Sequence, residues 1–440
     1  MTVTDMRFRA GVAEGDITPQ GRCRLAREMD VVESEGIAGR LSARALAIGD
    51  GRTTLVILCL DLYGLGARYA DELVRQIGQA ASIRPEGVMV FCSRTRQAPV
   101  TAPIVGHDEL DASYLETVIP TSVEVACEAV RSMQPASVGY GKALLPHLVW
   151  NQRLLTRNYK AVTAWLDVPA NEVLQPEGPT DPDLPVLLVR DDRGRAMAAI
   201  WSIAADNRFP DTDQRVRPGL PGLVQAEMDE RMGSHLPVLY VPGCGGDVSF
   251  ARSLEDTSRA IADSLMAVQL EIPCDRQVAL ACLAERVILP VRDCDQFWSE
   301  PDIELKLPAQ LDLFRREVQA LQAEDLHGLP SEVKVLRIGD HALAALPGMP
   351  FAEFSRQVKQ NSPTADLIVA ANQGGEVGYV LTQRAFDHGG YEAWPSRSAR
   401  LGRGAGEFLA RQAGDMLHRL FARSLPRSPT ASDTFDGCPH

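Results

Sequence analysis

The sequence contains no run approaching the ~20 consecutive apolar residues that a membrane-spanning helix needs. Its start mixes Asp5 with Arg7 and Arg9 and has no apolar stretch between them, so no secretory signal is read there. Basic charge is also short. With 45 Lys and Arg against 58 Asp and Glu the net charge is −13, whereas a nucleic-acid-binding face demands a basic surplus. None of the 9 cysteines forms a C-x-x-C pair, and several, such as Cys59 and Cys92, lie in apolar runs. Odd in number and scattered, they predict reduced, buried thiols in a cytoplasmic protein rather than a disulfide framework. What remains is ordinary globular material, 45% hydrophobic and 23% charged over 440 residues, which excludes disorder as the main state.

Strand-like and helix-like stretches alternate along the chain. Residues 53–60 (TTLVILCL) and 87–92 (GVMVFC) are continuous apolar runs of the kind buried on both faces of a sheet. Residues 67–81 and 114–132 carry helical spacing. A hairpin is predicted for 184–190 and 196–203, around the turn residues of DDRG. Helix, strand and helix follow at 220–232, 236–241 and 253–270, then a polar helix at 309–323. Strands are predicted at 333–338 and 342–345, a helix at 351–360, strands at 368–371 and 378–381, and a closing helix at 406–422. The pattern predicts an α/β fold, a mixed β-sheet core flanked by helices. Residues 168–185, rich in Pro, Asp and Glu, read as a surface loop; 425–440 read as a flexible tail after one domain over 1–424.

Four polar or glycine-bearing segments directly follow apolar strands, where ligands gather in α/β sheets. They are Ser93-Arg94-Thr95-Arg96-Gln97-Ala98-Pro99, Ala205-Asp206-Asn207-Arg208, Gly243-Cys244-Gly245-Gly246-Asp247-Val248-Ser249 and Leu346-Pro347-Gly348-Met349-Pro350. Glycines at 245 and 246 could let backbone N–H groups converge on an oxyanion, with Ser249 as donor or nucleophile. No histidine near Ser249 in sequence supplies the base that a nucleophile needs. The structural alternative is that Asp247 and Ser249 cap the helix after Ser253.

The ordered set of short pieces carries a family resemblance. Gly11-Val12-Ala13-Glu14-Gly15-Asp16-Ile17-Thr18-Pro19, Cys59-Leu60-Asp61-Leu62, Gly178-Pro179-Thr180-Asp181-Pro182, Gly389-Gly390-Tyr391-Glu392 and Gly404-Ala405-Gly406-Glu407 follow one another in the family's order. From about Arg9 to Leu417 the sequence resembles the amidase-type domain of the neutral (non-lysosomal) ceramidase family. That resemblance implies a zinc-amidase scaffold, here without the family's C-terminal immunoglobulin-like domain. It places the family's essential serine on Ser249 and its Asn-Arg substrate-side motif on Asn151 and Arg153, which could equally anchor the long loop. The zinc ligands of the family fall on Arg94, Arg96, Asp206, Met349 and Tyr379, so only the tyrosine is kept. A guanidinium has no lone pair to give, and one carboxylate with one phenol cannot close a zinc site. The expectation is a chain without cofactor or catalytic metal.

Two guanidiniums match the charge of the missing ion, and Asp206 could sit between them. One outcome is a salt bridge plugging a dead site. The other is an arginine left over to grip a substrate anion, because two arginines exceed what one aspartate neutralises. Tyr379 reads as packing or as proton donor. His388 could be a general base, His107 could fold back toward the arginines, and Cys244 is read as a packing residue rather than a nucleophile. Two functions follow. One is a metal-independent enzyme acting on a small, anionic amide, ester or carbonyl substrate through Ser249, Gly245, Gly246, Arg94 and Arg96. The other is a non-catalytic relative that binds a small anionic ligand or scaffolds a partner.

Overall fold

The computed structural model describes residues 7–166, 168–209, 213–293, 307–324 and 326–422; the expected tail at 425–440 lies outside them. Eight strands form the larger sheet: β1 (Arg9–Asp16), β2 (Ser42–Gly49), β3 (Thr54–Leu60), β4 (Val88–Cys92), β5 (Gln134–Leu144), β6 (Asp183–Asp191), β7 (Ala196–Trp201) and β8 (Val238–Tyr240). Their order is β8-β7-β6-β5-β1-β2-β3-β4, with β3–β4 and β7–β8 parallel and the rest antiparallel. A second sheet of four strands runs β9 (Leu280–Leu289), β10 (Leu329–Ile338), β11 (His341–Ala345) and β12 (Leu367–Ala370), with β11–β12 parallel.

Side-chain alternation along the strands explains why the two sheets meet. Leu55, Ile57 and Cys59 of β3 share one core with Leu187 and Val189 of β6, and with Leu336, Leu343 and Ile368 of the second sheet. The intervening Val56, Leu58 and Leu60 face the other way, onto α1 (Ala67–Ala81) and α2 (Ala112–Arg131). Leu184, Val186 and Leu188 likewise face α3 (Leu220–Met232) and α4 (Leu254–Glu271). On the outer side of the small sheet, Val333, Val335 and Val369 pack with α5 (Leu311–Ala323), α6 (Ala352–Gln360) and α8 (Ala405–Ala422); α7 (Gln383–His388) precedes α8. The result is four layers, helix, sheet, sheet and helix, with a mixed α/β core as the sequence pattern predicts.

Three differences from the sequence expectation have physical causes. Strand β5 was not predicted, because Pro135, Gly139 and Gly141 break its apolar pattern; the glycines are needed where Pro273 and Ile272 press against the strand. Strand β9 is similarly masked by Glu285 and Arg286. Residues 168–185 are not a plain loop. They hold a short strand, Val173–Pro176, and bring the carboxylates of Glu177 and Asp181 into buried positions.

Candidate functional site

The parallel strand pairs aim their carboxyl ends at one place, and the four segments singled out in the sequence converge there. The turn after β4 carries Arg94 in a left-handed conformation, φ 65°, held by its N–H on Leu62 O at 2.9 Å. For a residue with a Cβ that conformation costs roughly 1–2 kcal/mol. Met29 and Asn372, also left-handed, flank the same site, so imposed backbone geometry is concentrated there. Asn372 Nδ2 donates to Cys92 O and Tyr63 O, tying the exit of β12 to the exits of β3 and β4. Gly348, at φ 63°, has Gly378 O 2.4 Å from where a Cβ would stand. That close approach lets Met349–Pro350 pair in parallel with Tyr379–Val380, Met349 opposite Tyr379.

Arg94, Arg96, Asp206, Met349 and Tyr379 therefore belong to one cluster, all buried. Arg96 Nη2 donates to Asp206 Oδ2 at 3.1 Å, and Arg94 Nε lies 4.0 Å from Asp206 Oδ1. Two carboxylates that sequence reasoning missed complete the cluster. Glu376 accepts from Arg94 Nη1 at 2.7 Å, and Glu28 accepts from Arg96 Nη2 at 2.8 Å. Tyr63 accepts from Arg94, lies under it with 3.9 Å from guanidinium carbon to ring centre, and donates to Glu28 Oε1 at 3.1 Å. No motif marks Glu28 or Glu376; their only sequence signal is position, on loops that the fold alone brings to the arginines. The expectation of surplus positive charge is thereby corrected, since three carboxylates face two guanidiniums.

Burial works against the charged form of Arg94, but Tyr63, Glu376 and Asp206 outweigh it and hold its pKa above the usual range. Arg96 follows the same logic, with Glu28 and Asp206 as the offsetting charges. Burial pushes the hydroxyls of Tyr63 and Tyr379 well above the ordinary tyrosine range, so both are neutral. Tyr379 stands edge-on to Tyr391, 6.3 Å between ring centres.

The donor set does not suit zinc. Two guanidiniums and a thioether occupy the positions where the resemblance calls for imidazoles and a carboxylate, and among the described residues no group of three His, Cys, Asp or Glu could hold a metal. The cavity between Arg94, Asp206, Tyr240 and Met349 measures about 10 Å³. That is the space of a single water, which needs ~10–15 Å³. Buried Arg94 Nε and Asp206 Oδ1, neither with a hydrogen bond among the described residues, supply polar contacts for one. A larger recess of about 190 Å³ lies over Arg96, walled by Phe209, Leu254, Arg217 and Thr95. Arg96 spends only Nη2 on carboxylates, and its Nη1 makes no hydrogen bond among the described residues.

The glycine loop is built for packing. Gly246 N–H donates to Pro350 O at 3.1 Å, which removes it as an oxyanion donor. A Cβ on Gly245 would stand 2.4 Å from Ala205 Cα, so this glycine permits two backbones to touch. Asp247 does not cap the following helix. Ser253 does, accepting from Asp256 N–H, while Asp247 accepts from Ala352 N–H at 2.8 Å and from Asn151 Nδ2 at 2.6 Å. Burial raises Asp247 to about 7. Ser249, in the short strand Val248–Phe250, is half-buried, and its hydroxyl makes no hydrogen bond among the described residues. Cys244 is fully buried and its thiol pKa is pushed up by burial, which makes it inert.

Asn151 and Arg153 are anchors rather than exposed substrate contacts. Arg153 is 0% exposed. Its guanidinium donates to Glu177, Glu392 and Gly389 O, and Asn151 joins it to Asp247. His107 does fold back, but its Nε2 meets Arg27 O at 2.7 Å and not the arginine pair. His388 sits elsewhere, on Glu177.

No family model matches the chain, and no curated protein does. Solved structures do. The neutral ceramidase from Pseudomonas aeruginosa is 17% identical, with a TM-score of 0.70 over 97% of this chain and 76% of that one. A ceramidase complexed with C2 is 16% identical, again with a TM-score of 0.70, over 97% of this chain and 77% of that one.

Proposed function

We propose that this chain, which has a neutral-ceramidase-like fold, works without a metal and without hydrolysis at the inherited centre, and that it holds a small organic anion in the recess over Arg96. The observation that carries this reading is the ion network: both guanidiniums occupy the metal-ligand positions implied by the resemblance, pinned by Glu28, Asp206 and Glu376 with space for one water. Arg96 Nη1, left without an acceptor among the described residues, and Arg217 supply the positive edge of the recess, while Phe209 and Leu254 accommodate a short apolar tail. Glu255 at its rim and Asp213, paired with Arg217, favour a single over a double negative charge.

The test combines metal analysis with ligand binding. Protein isolated without chelators is expected to carry no stoichiometric zinc and to show a thermal shift with millimolar butyrate. Arg217→Gln, outside the buried network, is expected to weaken that binding at least tenfold. One equivalent of zinc, or butyrate binding indifferent to Arg217, would overturn the reading. The combined change Arg94→His, Arg96→His, Asp206→His and Met349→Glu, beside the existing Tyr379, is expected to restore zinc uptake.

A second reading, a metal-independent enzyme acting on an anionic amide, ester or carbonyl substrate, is favoured by the half-exposed, unpartnered hydroxyl of Ser249. Turnover of N-acyl amino acids or of chromogenic anionic esters that disappears in Ser249→Ala would replace the first reading with this one.

A further inference from the structure

Away from the arginine cluster, a recess of about 160 Å³ opens beside the strand Ala161–Thr163. Its floor is apolar, made by Val162, Leu166 and Trp394, all buried. Its rim carries Lys160 and His388. Lys160 is exposed, and its ammonium forms no ion pair among the described residues. Trp394, which lines the recess, has its buried Nε1 without an acceptor among the described residues, and a buried donor without a partner marks a place where an acceptor is missing.

His388 is fixed in orientation. Its Nδ1 lies 2.8 Å from Glu177 Oε1. Glu177 is gripped by Arg153, whose Nη1 donates to Glu392 Oε2 at 2.6 Å, and Glu392 in turn accepts from Thr163 Oγ1 at 2.9 Å. The chain of contacts thus returns to the strand that floors the recess. Burial alone would raise the Glu177 pKa, but Arg153 and His388 more than offset it and hold it below the usual carboxylate range. An ionised carboxylate only accepts, so in its neutral form the imidazole carries its proton on Nδ1. Nε2 then presents a lone pair, and it has no protein partner among the described residues.

We propose that this recess binds a small hydroxy-carboxylate. The ligand's hydroxyl donates to His388 Nε2, its carboxylate faces the Lys160 ammonium, and its hydrocarbon part lies on Val162, Leu166 and Trp394. The rim also carries Glu172, which disfavours a second negative charge on the ligand. This site shares no lining residue with the recess over Arg96 and does not depend on it.

Titration of the full chain with mandelate, followed by tryptophan fluorescence, tests the assignment. Saturable binding is expected, with phenylacetate, which lacks the hydroxyl, at least tenfold weaker and inorganic phosphate without effect. Trp394→Phe is expected to remove most of the signal. Lys160→Ala, which alters an exposed side chain, is expected to raise Kd at least tenfold, as is His388→Ala, with His388→Gln recovering part of the loss through its amide acceptor. Arg217→Gln is expected to leave mandelate binding unchanged, which separates this site from the other. Absence of saturation, equal affinity for phenylacetate, displacement by phosphate, or Lys160→Ala binding like the parent would each overturn the proposal.

Discussion

The buried arginine clusters around Arg153 and around Arg94 and Arg96 are satisfied to different degrees. Around Arg153 every guanidinium nitrogen donates: Nε and Nη2 to Glu177, Nη1 to Glu392, and Nη2 also to Gly389 O. Around Arg94 and Arg96 there are more carboxylates, yet Arg94 Nε, Arg96 Nε and Asp206 Oδ1 are buried with no hydrogen bond among the described residues. A fully satisfied polar network specifies one arrangement of its surroundings, whereas a partly satisfied one leaves desolvated groups uncompensated. The first cluster is where the fold is fixed, holding residues 151–153, 177 and 389–392 together. The second has the marks of a site built for other contents, with left-handed residues around it and open valences inside it.

The comparison can be broken most severely at Arg153. Arg153→Ala strands Glu177 and Glu392 as buried charges, and removing one partner of a buried pair costs about 3–5 kcal/mol. Denaturant unfolding should show a loss of that order, large against a typical total of about 5–15 kcal/mol. A loss below about 1 kcal/mol would mean that Arg153 is hydrated in solution and that the contrast is false.

Arg94 should come next. Arg94→Met strands Glu376 Oε2, and a loss of about 2–4 kcal/mol is expected, softened only because Gly378 N–H still donates to Glu376 Oε1 and the cluster has open positions for water. The double change Arg94→Met with Glu376→Gln should recover most of it, since neutral replacements of a buried pair are often close to neutral for stability. A double-mutant cycle with no coupling between the two positions would show that they do not meet.

These clusters were legible in the sequence to different extents, for physical reasons. Helices α1 and α3 were readable to the residue, because Ala70, Leu73 and Ile77 repeat at helical spacing and because Gly233 ends α3 with φ 63°. Position after strands marked the segments that carry Arg94, Arg96 and Asp206, and the resemblance, which puts all three at ligand positions, implied their pairing. Glu28 and Glu376 were not, since a carboxylate on a loop has no pattern and its partner is 282 residues away in the case of Glu376. For Arg153 the resemblance implied a substrate contact with a loop anchor as the equal alternative, and a sequence cannot choose between them because burial is a property of the whole fold. The glycines at 245 and 246 suggested an anion cradle for the same reason: a sequence shows that a Cβ is absent, but not which atom fills its place.

Asp247 sharpens the comparison from the acidic side. It is buried like Glu177 but has no ion pair among the described residues, and its pKa rises to about 7 where Glu177's falls. An unfolded aspartate titrates near ~3.9. The folded chain therefore holds a proton that the unfolded chain has released, and the stabilisation is complete below about pH 4 and lost as pH rises through about 7. Across that window Asp247 contributes a slope of up to about 1.4 kcal/mol per pH unit. Asp247→Asn lowers stability overall, because its amide must face either Ala352 N–H or Asn151 Nδ2, but it should remove one proton from the pH dependence of unfolding. An unchanged slope would place the titration elsewhere.

The smallest effect is expected at Arg131, and it isolates burial as the variable. Arg131 resembles Arg153 on paper, donating to Glu124 and twice to Glu128. Its side chain is 55% exposed, however, and both glutamates are at least as open. Water already solvates all three groups, salt screens them, and holding three long side chains in one geometry loses rotamer entropy. Arg131→Ala should leave the denaturation midpoint where it is, at low and at high salt alike. A loss comparable to that of Arg153→Ala would mean that the number of ion pairs, rather than the desolvation of their members, sets the stability of these clusters.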